Sequence, residues 1–189
     1  MEQAVVAVTG GADVMAAPAP PSHATAFQRA GPLTERILEC LKFLHRVERV
    51  VISDVVDGEF VLDVYLNDSE DTSKPACSTR HGFKAVQELH NVCVHWSKKH
   101  IYLDPRYGVE PCKYCAAFNA DEKINSWPSG LSKLLSSTKS MKETLEPRIN
   151  EYVQGARAEK GGDLVCEGIE HIPSVVARFL LKNVDTATL

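Results

Sequence analysis

The sequence predicts an α+β fold, a three-stranded antiparallel sheet packed against a helical subdomain. Two β-branched runs, VERVVISDVV and EFVLDVYL, are separated only by Asp57-Gly58. Apolar residues at helical spacing lie on both sides of them. The order is therefore a helix, two or three strands, then helices, with no internal repeat.

Residues 1–31 read as a disordered Ala/Pro-rich lead, since three prolines within residues 18–21 deny helix and sheet their hydrogen bonds. The domain is expected over residues 32–183, with 184–189 as a tail. Pro32 suits a first helical turn, and Leu33, Ile37, Cys40, Leu41, Leu44 and Val47 share one helical face. Asp57-Gly58 is a hairpin dipeptide, and Phe60, Leu62, Val64 and Leu66 line one face of the second strand. An acidic loop, 67–75, leads to a third strand over 76–81. Phe83, Val86, Leu89 and Cys93, with Val94 or Trp96, mark the buried stripe of a helix over 83–98. Pro105, Gly108, Pro111, Pro128 and Gly130 punctuate residues 101–130, so an irregular Cys-containing insertion is expected at about 100–126. A short helix over 131–135, a longer one over 141–158 and a loop over 159–168 follow. Ile172, Val175, Val176, Phe179 and Leu180 make a final amphipathic helix.

Composition narrows the function. The 189 residues carry a net charge of −4, which excludes the basic excess of a nucleic-acid binder. No apolar run approaches the ~18 residues that a membrane span requires. Six cysteines are too few for a disulfide scaffold, and residues 1–30 lack the pattern of a secretory signal, so a reducing, cytoplasmic setting is expected. G-x-S-x-G, P-loop and H-E-x-x-H motifs are all absent, and no enzyme and no catalytic residue is expected.

The cysteines give the most local signal. His90-x-x-Cys93 puts two ligand types on one helical face, and Cys112-x-x-Cys115 lies in a proline-flanked stretch. Together they predict a structural zinc site of His90, Cys93, Cys112 and Cys115, which would tether the insertion to helix 83–98. The plainer reading makes Cys93 core filler and the other two incidental thiols. Lys98-Lys99-His100-Ile101-Tyr102-Leu103 reads as a helix C-terminus favoured by lysines, followed by a buried segment, in preference to a membrane-insertion loop.

Over residues 44–182 the chain resembles a PX domain, the phosphoinositide-binding module of membrane-trafficking proteins. The hairpin matches the family's opening strands. HGFKAVQELH matches its R-[RK]-[YF]-x-x-F-x-x-L-H motif at Phe83, Val86 and Leu89-His90. Trp127-Pro128-Ser129-Gly130 stands for its proline loop, Ile149, Tyr152 and Val153 for a later helix, and Phe179-Leu180 for its closing helix. Two positions depart from the pattern. His81 or Gly82 stands where the family has its 3-phosphate-binding arginine, with Arg80 one or two positions early, and Leu145 replaces a later arginine.

The resemblance implies a trafficking adaptor, cytoplasmic and peripheral on endosomal membranes. Its partners would be phosphoinositide membranes and trafficking proteins. Arg80 and Lys133 would hold phosphates, Arg148 or Lys142 would assist, and Phe83 would pack beneath the inositol ring. The alternative is a PX-like protein-interaction module that has lost lipid binding and keeps a structural zinc.

Overall fold

The computed structural model describes residues 28–98, 112–119, 138–158 and 164–185. Their architecture is the expected α+β. Strands β2 (Val47–Val56), β3 (Glu59–Leu66) and β4 (Cys77–Gly82) form an antiparallel sheet in the order β2-β3-β4. Asp57 (φ 54°) and Gly58 (φ 79°) make the β2–β3 turn with both residues in the left-handed region, as the sequence dipeptide requires. Phe60, Leu62, Val64 and Leu66 point into the core, while Arg49 stacks over the Tyr65 ring on the opposite face, 4.1 Å from its centroid.

The N-terminal expectation needs adjustment. Strand β1 (Gln28–Ala30) lies inside the stretch expected to be a disordered lead, and it pairs antiparallel with β5 (Leu164–Cys166). Two three-residue strands are too short to leave a period-two pattern, so only their mutual pairing defines them. The remainder of the lead, residues 1–27, lies outside the described residues. Helix α1 (Glu35–Arg46) starts three residues after Pro32, with the Thr34 carbonyl accepting from the Ile37 and Leu38 N–H groups at 3.0 Å.

Helix α2 (Phe83–Lys98) begins directly after β4 and buries Val86, Leu89, His90, Cys93 and Ser97. Helix α3 (Lys113–Asn119) occupies part of the stretch read as irregular. It is anchored by the fully buried Tyr114 and Phe118, and the Tyr114 hydroxyl donates to the Ala156 carbonyl at 3.1 Å. Helix α4 (Thr138–Ala156) covers most of the expected 141–158 helix and carries Pro147 inside it. The short helix expected over 131–135 lies outside the described residues.

The expected loop over 159–168 is in part regular structure, since β5 ends at Cys166 and α5 (Glu167–Leu180) starts at the next residue. Helix α5 packs against α1, α2, α3 and α4. It also fixes β4: His81 Nε2 donates to the Phe179 carbonyl at 2.7 Å, its ring stacks on Phe179 at 3.8 Å, and Thr79 Oγ1 donates to the Lys182 carbonyl at 2.8 Å.

The edge of β2 away from β3 has no strand beside it among the described residues. Side chains from the helical layer satisfy it instead. Glu146 accepts from the Ile52 N–H, Asn150 bonds Val50, and Arg157 donates to the Val47 carbonyl, each at 2.8 Å. A buried or half-buried backbone edge would otherwise carry unpaired polar groups.

Candidate metal centre

Helix α3 and the β5–α5 junction bring three cysteines together. Cys112 immediately precedes α3, Cys115 sits in its first turn, and Cys166 is the N-cap of α5. Their sulfur atoms all lie within 4.8 Å of one another. Cys112 Sγ is 3.3 Å from Cys166 Sγ, and Cys115 Sγ is 3.8 Å from it. Cys115 and Cys166 are buried, and Cys112 is half-buried.

The backbone is arranged to receive negative sulfur. The Cys115 N–H donates to Cys112 Sγ at 3.3 Å, and the Ile169 N–H donates to Cys166 Sγ at 3.4 Å. The second contact adds the positive end of α5, which favours a thiolate at its N-cap. Without a cation the cluster opposes ionisation. Contact with Cys112 and Cys166, reinforced by burial, raises the Cys115 thiol far above its ordinary range, and Cys166 is pushed up to about 11, chiefly by Cys112. A divalent soft-tolerant cation would reverse that balance by binding the deprotonated sulfurs.

Gly168 makes the close approach feasible. A Cβ at this position would collide with Cys115 Sγ and would meet the Trp96 carbonyl oxygen at 3.6 Å. Trp96 in turn stacks on His171 of α5 at 3.8 Å between ring centroids. The α2 C-terminal turn and α5 therefore close over the thiols from one side.

This centre contains two of the four expected ligands, Cys112 and Cys115. The other two are engaged elsewhere, and the described group of three contains Cys166 in their stead. His90 Nδ1 is 2.7 Å from the Tyr152 hydroxyl in a buried pair. Burial, with Arg148 and then Lys98 nearby, lowers the imidazole to about 4, so it is neutral at neutral pH. Cys93 is fully buried, and desolvation pushes its thiol up to about 12. It fills the core. Cys166 was hidden from sequence inspection because it lies 51 residues beyond Cys115, and its only local mark is Gly168 two positions on.

The residues expected to hold a phosphoinositide are scattered in character. Arg80 is exposed on β4, two residues before the sheet gives way to α2. Phe83 is partly buried and packs against the hydrophobic core. Arg148 is buried, 9 % exposed, and lies beside the Tyr152 phenol, with its Nη1 buried and without a hydrogen-bond partner among the described residues. Lys142 is half-buried on α4, and Lys133 lies outside the described residues, as do Lys99–Leu103. His81, at one of the two positions matching the family's arginine, is 2 % exposed, and desolvation lowers its pKa.

One surface groove adjoins these elements. A cavity of about 480 Å³ runs between α2 and α5, with Leu89, Val92, Val175 and Phe179 along it and Glu88, Arg178 and Lys182 as its charged lining residues. Among the described residues no helix is long and apolar enough to cross a membrane. No protein-family model, curated protein or solved structure matches the chain.

Proposed function

We propose that this chain is a non-enzymatic, PX-like protein-interaction module closed by a structural zinc ion on Cys112, Cys115 and Cys166. The observation that carries the reading is the convergence of three sulfurs from separate parts of the chain within 4.8 Å. Zinc is favoured because thiolate ligands select soft or borderline ions and a structural site needs no redox chemistry. The ion would join α3 to α5, two elements already packed against each other. A tetrahedral ion takes one further donor beyond the three sulfurs.

The interaction role is favoured over headgroup capture by the state of the basic residues. Phosphate recognition needs cationic forks that converge on one accessible place. Arg148 is committed to the interior beside Tyr152, and the buried His81 is tied to the Phe179 carbonyl. Among the described candidates, exposed Arg80 and half-buried Lys142 support the lipid reading. The α2–α5 groove offers an apolar floor lined by Arg178 and Lys182 against one carboxylate, Glu88, a balance that suits an acidic, amphipathic segment of a partner protein.

Two measurements on the full chain test this. Elemental analysis after reducing, chelator-free purification should give about one zinc per chain, and less than ~0.2 overturns the metal reading. Vesicles containing phosphatidylinositol 3-phosphate should recover no more protein than vesicles without it. Enrichment that Arg80→Ala abolishes would restore headgroup capture as the function.

A further inference from the structure

The three thiols are not equivalent. Cys112 is half-buried, whereas Cys115 and Cys166 are 0 % and 2 % exposed. Cys166 has both partners close, with Cys112 the nearer at 3.3 Å against 3.8 Å for Cys115. Thiol–disulfide exchange needs this pair of roles: one sulfur that an outside disulfide can reach, and a second, sheltered sulfur beside it to resolve the intermediate. Cys112 meets the first requirement and Cys166 the second.

Building on the zinc reading above, we infer that Cys112 and Cys166 form a thiol–disulfide switch that releases the metal when the site meets a low-molecular-weight disulfide such as oxidised glutathione. The Cys112 thiolate leaves the ion and attacks one sulfur of the incoming disulfide. A mixed disulfide forms, and the first glutathione departs as thiolate. The Cys166 thiolate then attacks the Cys112 sulfur, forming the Cys112–Cys166 bond and expelling the second glutathione thiolate. Two protein thiolates have lost one electron each, and the incoming disulfide has gained both. The zinc ion, left with Cys115 alone among these ligands, dissociates, and Cys115 takes a proton from solvent.

The choice of Cys166 over Cys115 as the resolving sulfur rests on placement. Cys166 Sγ stands 3.3 Å from Cys112 Sγ, whereas Cys115 Sγ is the sulfur pressed closest to Gly168 and its own N–H is directed at Cys112 Sγ. The Cys112–Cys166 bond would keep α3 fastened to the β5–α5 junction after the metal has gone. Oxidation would therefore exchange one tether for another, and thiol reduction with zinc would restore the first.

The test uses the full chain as purified, incubated with oxidised glutathione. Zinc release is followed with a chromogenic chelator, and free thiols are alkylated before peptide mapping. The expected result is one zinc released per disulfide formed, a Cys112–Cys166 cross-linked peptide, and recovery of zinc binding after reduction. Cys166→Ser should stop at a glutathione adduct on Cys112, and Cys115→Ser should still form the Cys112–Cys166 bond. A Cys112–Cys115 cross-link, or zinc retained with all three thiols unmodified, overturns the switch. If the purified chain holds no zinc, the metal reading and metal release fall together. The cross-link map of that metal-free chain then decides the pairing of Cys112 with Cys166 independently.

Discussion

The carboxamide of Asn150 grips both backbone groups of Val50. Its Oδ1 accepts from the Val50 N–H at 2.8 Å, and its Nδ2 donates to the Val50 carbonyl at 2.8 Å. A side chain of α4 thus does for the β2 edge what a neighbouring strand would do. The same amide nitrogen also donates to the Glu146 carbonyl one helical turn earlier, which fixes the rotamer. This contact sets the position of α4, and through the Tyr114–Ala156 bond it also bears on α3 and the thiol cluster.

Replacing Asn150 with Ala should therefore cost about 2 kcal/mol of unfolding free energy, because it leaves a donor and an acceptor of β2 without partners. Urea denaturation measures it. Glu146→Gln keeps an acceptor for the Ile52 N–H and should cost less than half as much. Equal losses from the two variants would contradict the edge-capping account.

Gly168→Ala should weaken zinc binding by about 10- to 100-fold, the scale of losses seen when the surroundings of metal ligands are disturbed. The added Cβ competes for the space of Cys115 Sγ. Competition against a metallochromic dye reads the affinity, and far-UV circular dichroism checks that the helices persist. Unchanged affinity would show that Cys115 does not hold the ion in this position.

The buried His90–Tyr152 pair predicts an acid-side stability profile. His90 titrates at about 4 in the folded chain, against an ordinary value of 6.5. The unfolded chain therefore binds more protons between these values, and stability falls as pH drops from about 6.5 towards 4. Urea midpoints across this window should decline in the native chain, and the decline should be shallower in His90→Gln, which keeps a polar partner for the Tyr152 hydroxyl. Parallel profiles would remove His90 as a source of the acid sensitivity.

The groove between α2 and α5 should bind anilinonaphthalene sulfonate, whose apolar rings and single anionic group match its lining. Val92→Asp should abolish the fluorescence increase, and Arg178→Glu should weaken it severalfold. Fluorescence unaffected by both substitutions would place the apolar anion elsewhere and leave the groove without a demonstrated preference for acidic apolar segments.

The sheet and α2 were legible in the sequence because their signals are local. Alternation over Phe60, Leu62, Val64 and Leu66 and the Asp57-Gly58 turn each occupy a few consecutive residues. The α2 stripe from Phe83 to Cys93 repeats at a fixed interval. The thiol cluster was only half legible. CxxC announces two of the clustered thiols, but the third comes from a β-strand end brought beside α3 by the tertiary fold, and separation along the chain carries no trace of that contact. His90 misled for a related reason. Helical spacing placed it on one face with Cys93, yet the partner on that face is Tyr152 of α4, a core hydrogen bond that spacing alone cannot tell from a metal bond.

X-ray absorption at the zinc edge counts the sulfurs around the ion. Three sulfur neighbours at about 2.3 Å and one lighter donor are expected in the native chain. The ligand set of Cys112, Cys115 and Cys166 requires the same spectrum in Cys93→Ser and one sulfur fewer in Cys166→Ser. A spectrum that changes with Cys93→Ser and stays constant in Cys166→Ser would contradict it.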